Sequence, residues 1–95
     1  MSKPRNTVLA LTTSYNGSEQ PIRSGLRRIE WGCDDAAIGF TLRIRDEESI
    51  DNEIPVAAGQ SYWEEAPSGG NLEGFTWNAK ADSGTPNLWV REIVG

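Results

Sequence analysis

The chain has 95 residues, with no His, one Cys and four Trp, and nine basic against fourteen acidic residues give it a net charge of −5. Without imidazole, His-relayed serine or cysteine catalysis, His-bearing zinc sites and haem held by a proximal His are excluded, and a single thiol excludes a CxxC pair and an internal disulfide. The acidic balance opposes nucleic-acid binding through clustered cations, so a non-enzymatic binding or assembly role with no cofactor leads.

In chain order, residues 1–6 are polar, basic and Pro-containing, which predicts an extended N-terminal arm ahead of a single domain over 7–95. Thr7 to Tyr15 reads as a strand with apolar residues on both faces at Val8, Leu9, Ala10 and Leu11, a pattern that asks for cover on both sides, from the fold or from a neighbouring subunit. The same four residues are too short for the apolar segment of a secretory signal, and no run approaches the roughly 20 apolar residues of a membrane span. A product made in the cytoplasm, without membrane contact, is expected.

Asn16-Gly17 signals a turn, and Pro21 closes the loop behind it. Leu26 to Trp31 alternates, with Ile29, Trp31 and Cys33 on one side and Arg28 and Glu30 on the other. Cys33 reads as a small buried hydrophobe. Ile38 to Arg45 is the clearest strand: Ile38, Phe40, Leu42 and Ile44 share one face, and Gly39, Thr41, Arg43 and Arg45 the other. The short connection over 32–37 predicts that these two strands form a hairpin.

Asp46 to Glu53 carries Ile50 as its one apolar residue and reads as a solvated loop; its acids lack the spacing of a calcium-binding EF-hand. Ile54-Pro55-Val56 reads as an edge strand because proline cannot donate to a ladder, and Gln60 to Glu64 as a second short strand. Adjacent Glu64 and Glu65 point to opposite faces of a strand and cannot flank one glycosidic bond. After the turn Pro67-Ser68-Gly69-Gly70-Asn71, the stretch Leu72 to Ala81 puts Phe75, Trp77 and Ala79 on one face. Asn87 to Val94 then completes a predicted terminal hairpin, with Leu88, Val90 and Val94 opposite Trp89 and Ile93.

Six to eight short strands between turn signals predict an all-β fold, a small antiparallel sandwich or jelly-roll-like barrel. Leu, Ile, Val and Phe supply nineteen residues, a thin core that would gain from further burial in an oligomer. Trp31 and Trp77 fall on aliphatic faces and read as core, which leaves Trp63 and Trp89 for an interface or for stacking a sugar ring. Some of Arg23, Arg27, Arg28, Arg43 and Arg45 would line one outward face if the two central strands pair. They would there either grip a carboxylate-rich partner or protect the sheet.

The stretch Gly74-Phe75-Thr76-Trp77-Asn78-Ala79-Lys80-Ala81-Asp82-Ser83-Gly84-Thr85-Pro86-Asn87-Leu88-Trp89-Val90 resembles the closing strands of small virion proteins of tailed bacteriophages. Ile54-Pro55-Val56-Ala57-Ala58-Gly59 resembles the entry to an earlier strand in the same proteins, so the resemblance covers about the last 42 residues. It implies a β-sandwich carried on the particle, either a head decoration (cement) protein or a small tail or fibre component. A decoration protein is expected to bridge major capsid subunits as a homotrimer, assembled into the virion in the host cytoplasm. The interface residues expected are Lys3, Arg5, Arg43, Arg45, Trp63 and Trp89. The alternative is a tail or fibre module that binds a host-surface glycan through Trp63 or Trp89.

Overall fold

The computed structural model describes residues 3–22, 25–45, 51–66, 72 and 75–94, the side chains of residues 3 and 4 excepted. The described residues form eight strands: β1 (Lys3–Ala10), β2 (Gln20–Pro21), β3 (Leu26–Cys33), β4 (Phe40–Arg45), β5 (Asp51–Val56), β6 (Ser61–Glu65), β7 (Thr76–Ala81) and β8 (Asn87–Val94). They build two four-stranded antiparallel sheets, sheet A in the order β1-β8-β3-β6 and sheet B in the order β2-β7-β4-β5. The expected all-β sandwich is therefore the fold.

The strand pairing differs from the expectation. β3 and β4 do not form a hairpin: β3 pairs with β6 and β8, and β4 with β5 and β7. Nor do β7 and β8 close a terminal hairpin, because they lie in different sheets. The physical reason is the same in both cases. Each of these strands has an apolar face, and placing consecutive strands in different sheets sets those faces against each other across the core rather than side by side. Passing from one sheet to the other lays Ile29 and Trp31 of β3 over the inner face of β4, with Phe40, Leu42 and Ile44, and buries all five.

Among the described strands, β4 and β5 are the sequential pair that shares a sheet. Asp51 to Glu53, expected in a solvated loop, are the first half of β5, where Asp51 stands opposite Arg45 and Glu53 opposite Arg43. Cross-strand charge pairing on an exposed face gives an acidic stretch a reason to be extended. Residues 46–50 and the predicted turn over 67–71 lie outside the described residues. Pro55 does sit on an edge strand, as its missing N–H requires.

β1 begins at Lys3 rather than Thr7, so Lys3 to Asn6, expected in an arm, pair with Arg91 to Val94 of β8. The core collects Ile29, Trp31, Leu88 and Val90 from sheet A and Phe40, Leu42, Ile44, Val56, Trp77, Ala79 and Ala81 from sheet B. Trp31 and Trp77 meet edge to face, with centroids 5.7 Å apart and planes at 70°, an arrangement that the ring quadrupoles favour. Leu26 and Ile29 are both fully buried although their spacing puts them on opposite faces; a bulge between Leu26 and Arg28 resets the alternation.

Candidate functional site

The outer faces of the two sheets are finished differently. Over sheet B runs the β1–β2 connection, pinned by Asn78, whose side chain is fully buried. Its Oδ1 accepts from the Asn16 and Ala79 backbone N–H groups at 3.0 and 2.8 Å, and its Nδ2 donates to the Asn16 carbonyl at 2.9 Å. Two bonds between this amide and the Asn16 backbone tie the connection to the middle of β7.

Tyr15 lies on this face, its ring centroid 4.2 Å from the Arg43 guanidinium and 4.9 Å from the Lys80 ammonium. Its hydroxyl donates to Glu53 Oε1 at 2.7 Å. Burial first, and then the Glu53 carboxylate, pushes the phenol up to about 12. Glu19, at the end of the same connection, pairs with Arg43 and reaches Arg45 at 3.6 Å. Arg45 also donates to Asp51 at 2.7 Å, which holds the Asp51 carboxyl below its ordinary range and raises the guanidinium. The charges of Arg43 and Arg45 are thus met by carboxylates of their own chain.

Sheet A carries no such cover among the described residues. The register sets Val8, Trp89, Gly32 and Ser61 in one row across its outer face, and Asn6, Arg91, Glu30 and Trp63 in the next. Val8 is 69% exposed and Trp63 50%. Trp89 is half-buried because its indole lies over Gly32: a Cβ there would fall 2.1 Å from the ring. Glycine at position 32 is thus what lets an aromatic ring lie flat on the sheet.

Trp63 is held by the Arg28 guanidinium, 5.0 Å from its centroid, and Arg28 reaches Glu65 at 3.5 Å. Arg28, Glu30, Arg91 and Ile93 line a shallow depression of about 240 Å³ on this face. Tyr62 points inward from the same strand, stacks on Trp31 at 6.2 Å and donates to Glu64 at 2.6 Å. That hydrogen bond, with burial behind it, raises its phenol to about 12.

Of the residues expected at an interface, Trp63 and Trp89 share the outer face of sheet A. Arg43 and Arg45 lie on the opposite outer face. The arginines therefore do not gather on one surface, because the pairing that would have gathered them is not made; Arg23 lies outside the described residues. Arg5 is exposed, at the edge of the sandwich opposite Glu92 in the register. Lys3 belongs to β1, and its side chain lies outside the described residues.

Val8, Arg28 and Ile93 complete the bare face. Their odd–even alternation with Leu9, Ile29 and Glu92 is a sequence signal for it, usable once the strand partners are known. Among the described residues no three His, Cys, Asp or Glu side chains are placed to hold a metal ion. Neither the protein-family models nor the curated proteins include a match to this chain.

Proposed function

We propose that the protein is a non-enzymatic structural protein of a tailed-phage virion, a decoration protein that stabilises the head by bridging neighbouring capsid subunits. The observation that carries this reading is the contrast between the two outer faces. Sheet B is covered by its own chain, whereas sheet A presents Val8, Trp63, Trp89 and Ile93 around the Arg28–Glu30–Arg91 depression. An aromatic and aliphatic centre within a charged surround is the composition of a protein interface. The virion assignment itself rests on the resemblance of the last 42 residues.

In this reading sheet A docks on the shell or on a second copy, and Trp63 is the anchor. Arg43 and Arg45 serve the fold, while Arg5 remains available to a partner. The test is to add purified protein to heads that lack it and to measure co-sedimentation, with solution mass from light scattering alongside. Saturable binding lost in Trp63→Ala and Val8→Glu supports the reading; equal binding by wild type and both variants overturns it.

The second reading is a tail or fibre module that binds a host glycan. Trp63 favours it, since a half-exposed indole held by Arg28 is a surface on which a sugar ring can stack. Host polysaccharide would then shift the Trp fluorescence of wild type and leave that of Trp63→Ala unchanged.

A further inference from the structure

The open side of the sandwich, where the free edges of β1 and β2 face each other, holds a cleft of about 350 Å³. β2 is only two residues long, so sheet B ends before it can cover the inner faces of β1 and β8. The inner row of β8 runs Leu88, Val90, Glu92, and its partners on β1 are Leu9, Thr7 and Arg5. Apolar packing thus gives way to polar groups where the opposing sheet ends.

Glu92 lies at this point and is 7% exposed. Among the described residues nothing donates a hydrogen bond to its carboxylate and no cation lies within ion-pairing distance. Asn78, the other buried polar residue among the described ones, makes three hydrogen bonds by contrast. The Glu92 carboxylate keeps contact with water only through the cleft, so a cation entering there would meet a charge that has no partner among the described residues. Arg5 is its register partner and lines the same cleft, but the Arg5 side chain is exposed and forms no ion pair with Glu92.

We propose that this cleft receives the lysine side chain of an extended partner polypeptide that adds to β1 as a further strand, with Glu92 as the counter-ion. Leu9, Val90 and Trp77 provide apolar walls for a butyl stem. Glu92, Thr7 and Gln20 carry three acceptor-bearing side chains, which suits an ammonium with three donors better than a planar guanidinium fork. One carboxylate is too little charge and too few oxygens for a calcium ion. The occupant is an extended chain because Val8, whose side chain points to the other face, also borders the cleft. The cleft therefore reaches the free backbone edge of β1, where strand addition supplies main-chain hydrogen bonds and inserts every second side chain. This site does not depend on the virion reading.

The test is titration of the full chain with the capped peptide Thr-Val-Lys-Val-Thr, followed by amide and indole NMR shifts. The same peptide with norleucine in place of lysine, and n-butylammonium alone, are the controls. The lysine peptide is expected to shift the amides of Thr7 to Leu9 and the Trp77 indole, and to bind at least tenfold more tightly than either control. Glu92→Gln is expected to remove that tenfold preference and Arg5→Ala to keep or increase it. Equal binding of lysine and norleucine peptides to wild type overturns the proposal without any variant. Equal binding by n-butylammonium overturns strand addition, and loss of binding in Arg5→Ala makes Glu92 the structural partner of Arg5 instead.

Discussion

The two outer faces of this sandwich are made of similar residues and put to opposite uses. Both carry arginines, acids and aromatic rings within reach of one another. On sheet B the β1–β2 connection brings Tyr15, Asn16 and Glu19 over Arg43, Asn78 and Lys80, so polar groups and ring meet inside the chain. On sheet A the corresponding elements, Trp63 with Arg28 and Trp89 over Gly32, have no second layer among the described residues. A face that a chain has covered for itself contributes to its stability; a face of the same composition without that cover is open to contacts with something else.

That contrast breaks most severely at Asn78. Asn78→Leu leaves the Asn16 N–H and carbonyl without their partner, and one such buried group costs about 1–3 kcal/mol. Loss of about 3 kcal/mol in urea unfolding, together with new proteolysis within residues 12–19, is the expected result. An unchanged urea midpoint would show that the connection does not cover sheet B in solution.

Next comes Gly32→Ala, which drives a methyl group into the Trp89 ring and costs about 1–3 kcal/mol unless the indole swings away. A red shift of Trp emission on that substitution would show the ring released to solvent. An identical spectrum and stability would mean that Trp89 does not lie on the sheet.

Tyr15→Phe is expected to cost about 1 kcal/mol at neutral pH, by loss of one hydrogen bond to Glu53. Its sharper signature lies at alkaline pH. Tyr15 and Tyr62 stand near 12 in the folded chain against an ordinary value of 10.0. Over that interval the folded chain keeps protons that the unfolded chain has lost, so stability present below pH 10.0 falls as pH rises toward 12. Tyr15→Phe and Tyr62→Phe should each flatten part of that fall in denaturation measured across the range. A wild-type stability flat from pH 10 to 12 would contradict both placements.

The smallest effect on stability belongs to the bare face. Trp63→Ala should change unfolding free energy by no more than about 0.5 kcal/mol, as exposed positions do, yet abolish binding to heads or to glycan. If it instead unfolded the chain, sheet A's outer face would be a structural surface and the contrast would fail.

Much of this was legible along the chain. Period-two alternation gave the all-β class and the inward set Ile29, Trp31, Phe40, Leu42, Ile44 and Trp77, all of them buried, and it grouped Leu88 with Val90 without saying which side of their strand faces the core. Pro55 marked an edge, and the residues left over after the core was assigned included Trp63 and Trp89. The acidic stretch Asp51 to Glu53 reads as a loop in the sequence because a strand whose outer residues pair with arginines across the ladder looks like one until its partner is known. Glu92 escaped notice although it shares its parity with Leu88, Val90 and Val94, because a carboxylate in an apolar row is informative only once the row is known to face inward at an open end.

The sequence by itself determined which residues share a side of each strand, because side-chain alternation is a local property of extended backbone. The tertiary structure alone decided which strands are neighbours. Adjacent apolar strands joined by a short connection can lie side by side or face to face, and the sequence pattern is the same for both. Face-to-face packing prevails here because it buries both apolar faces at once. That choice separates Arg28 from Arg43, covers one outer sheet face, leaves the other without cover among the described residues, and opens the cleft beside Glu92 where β2 ends.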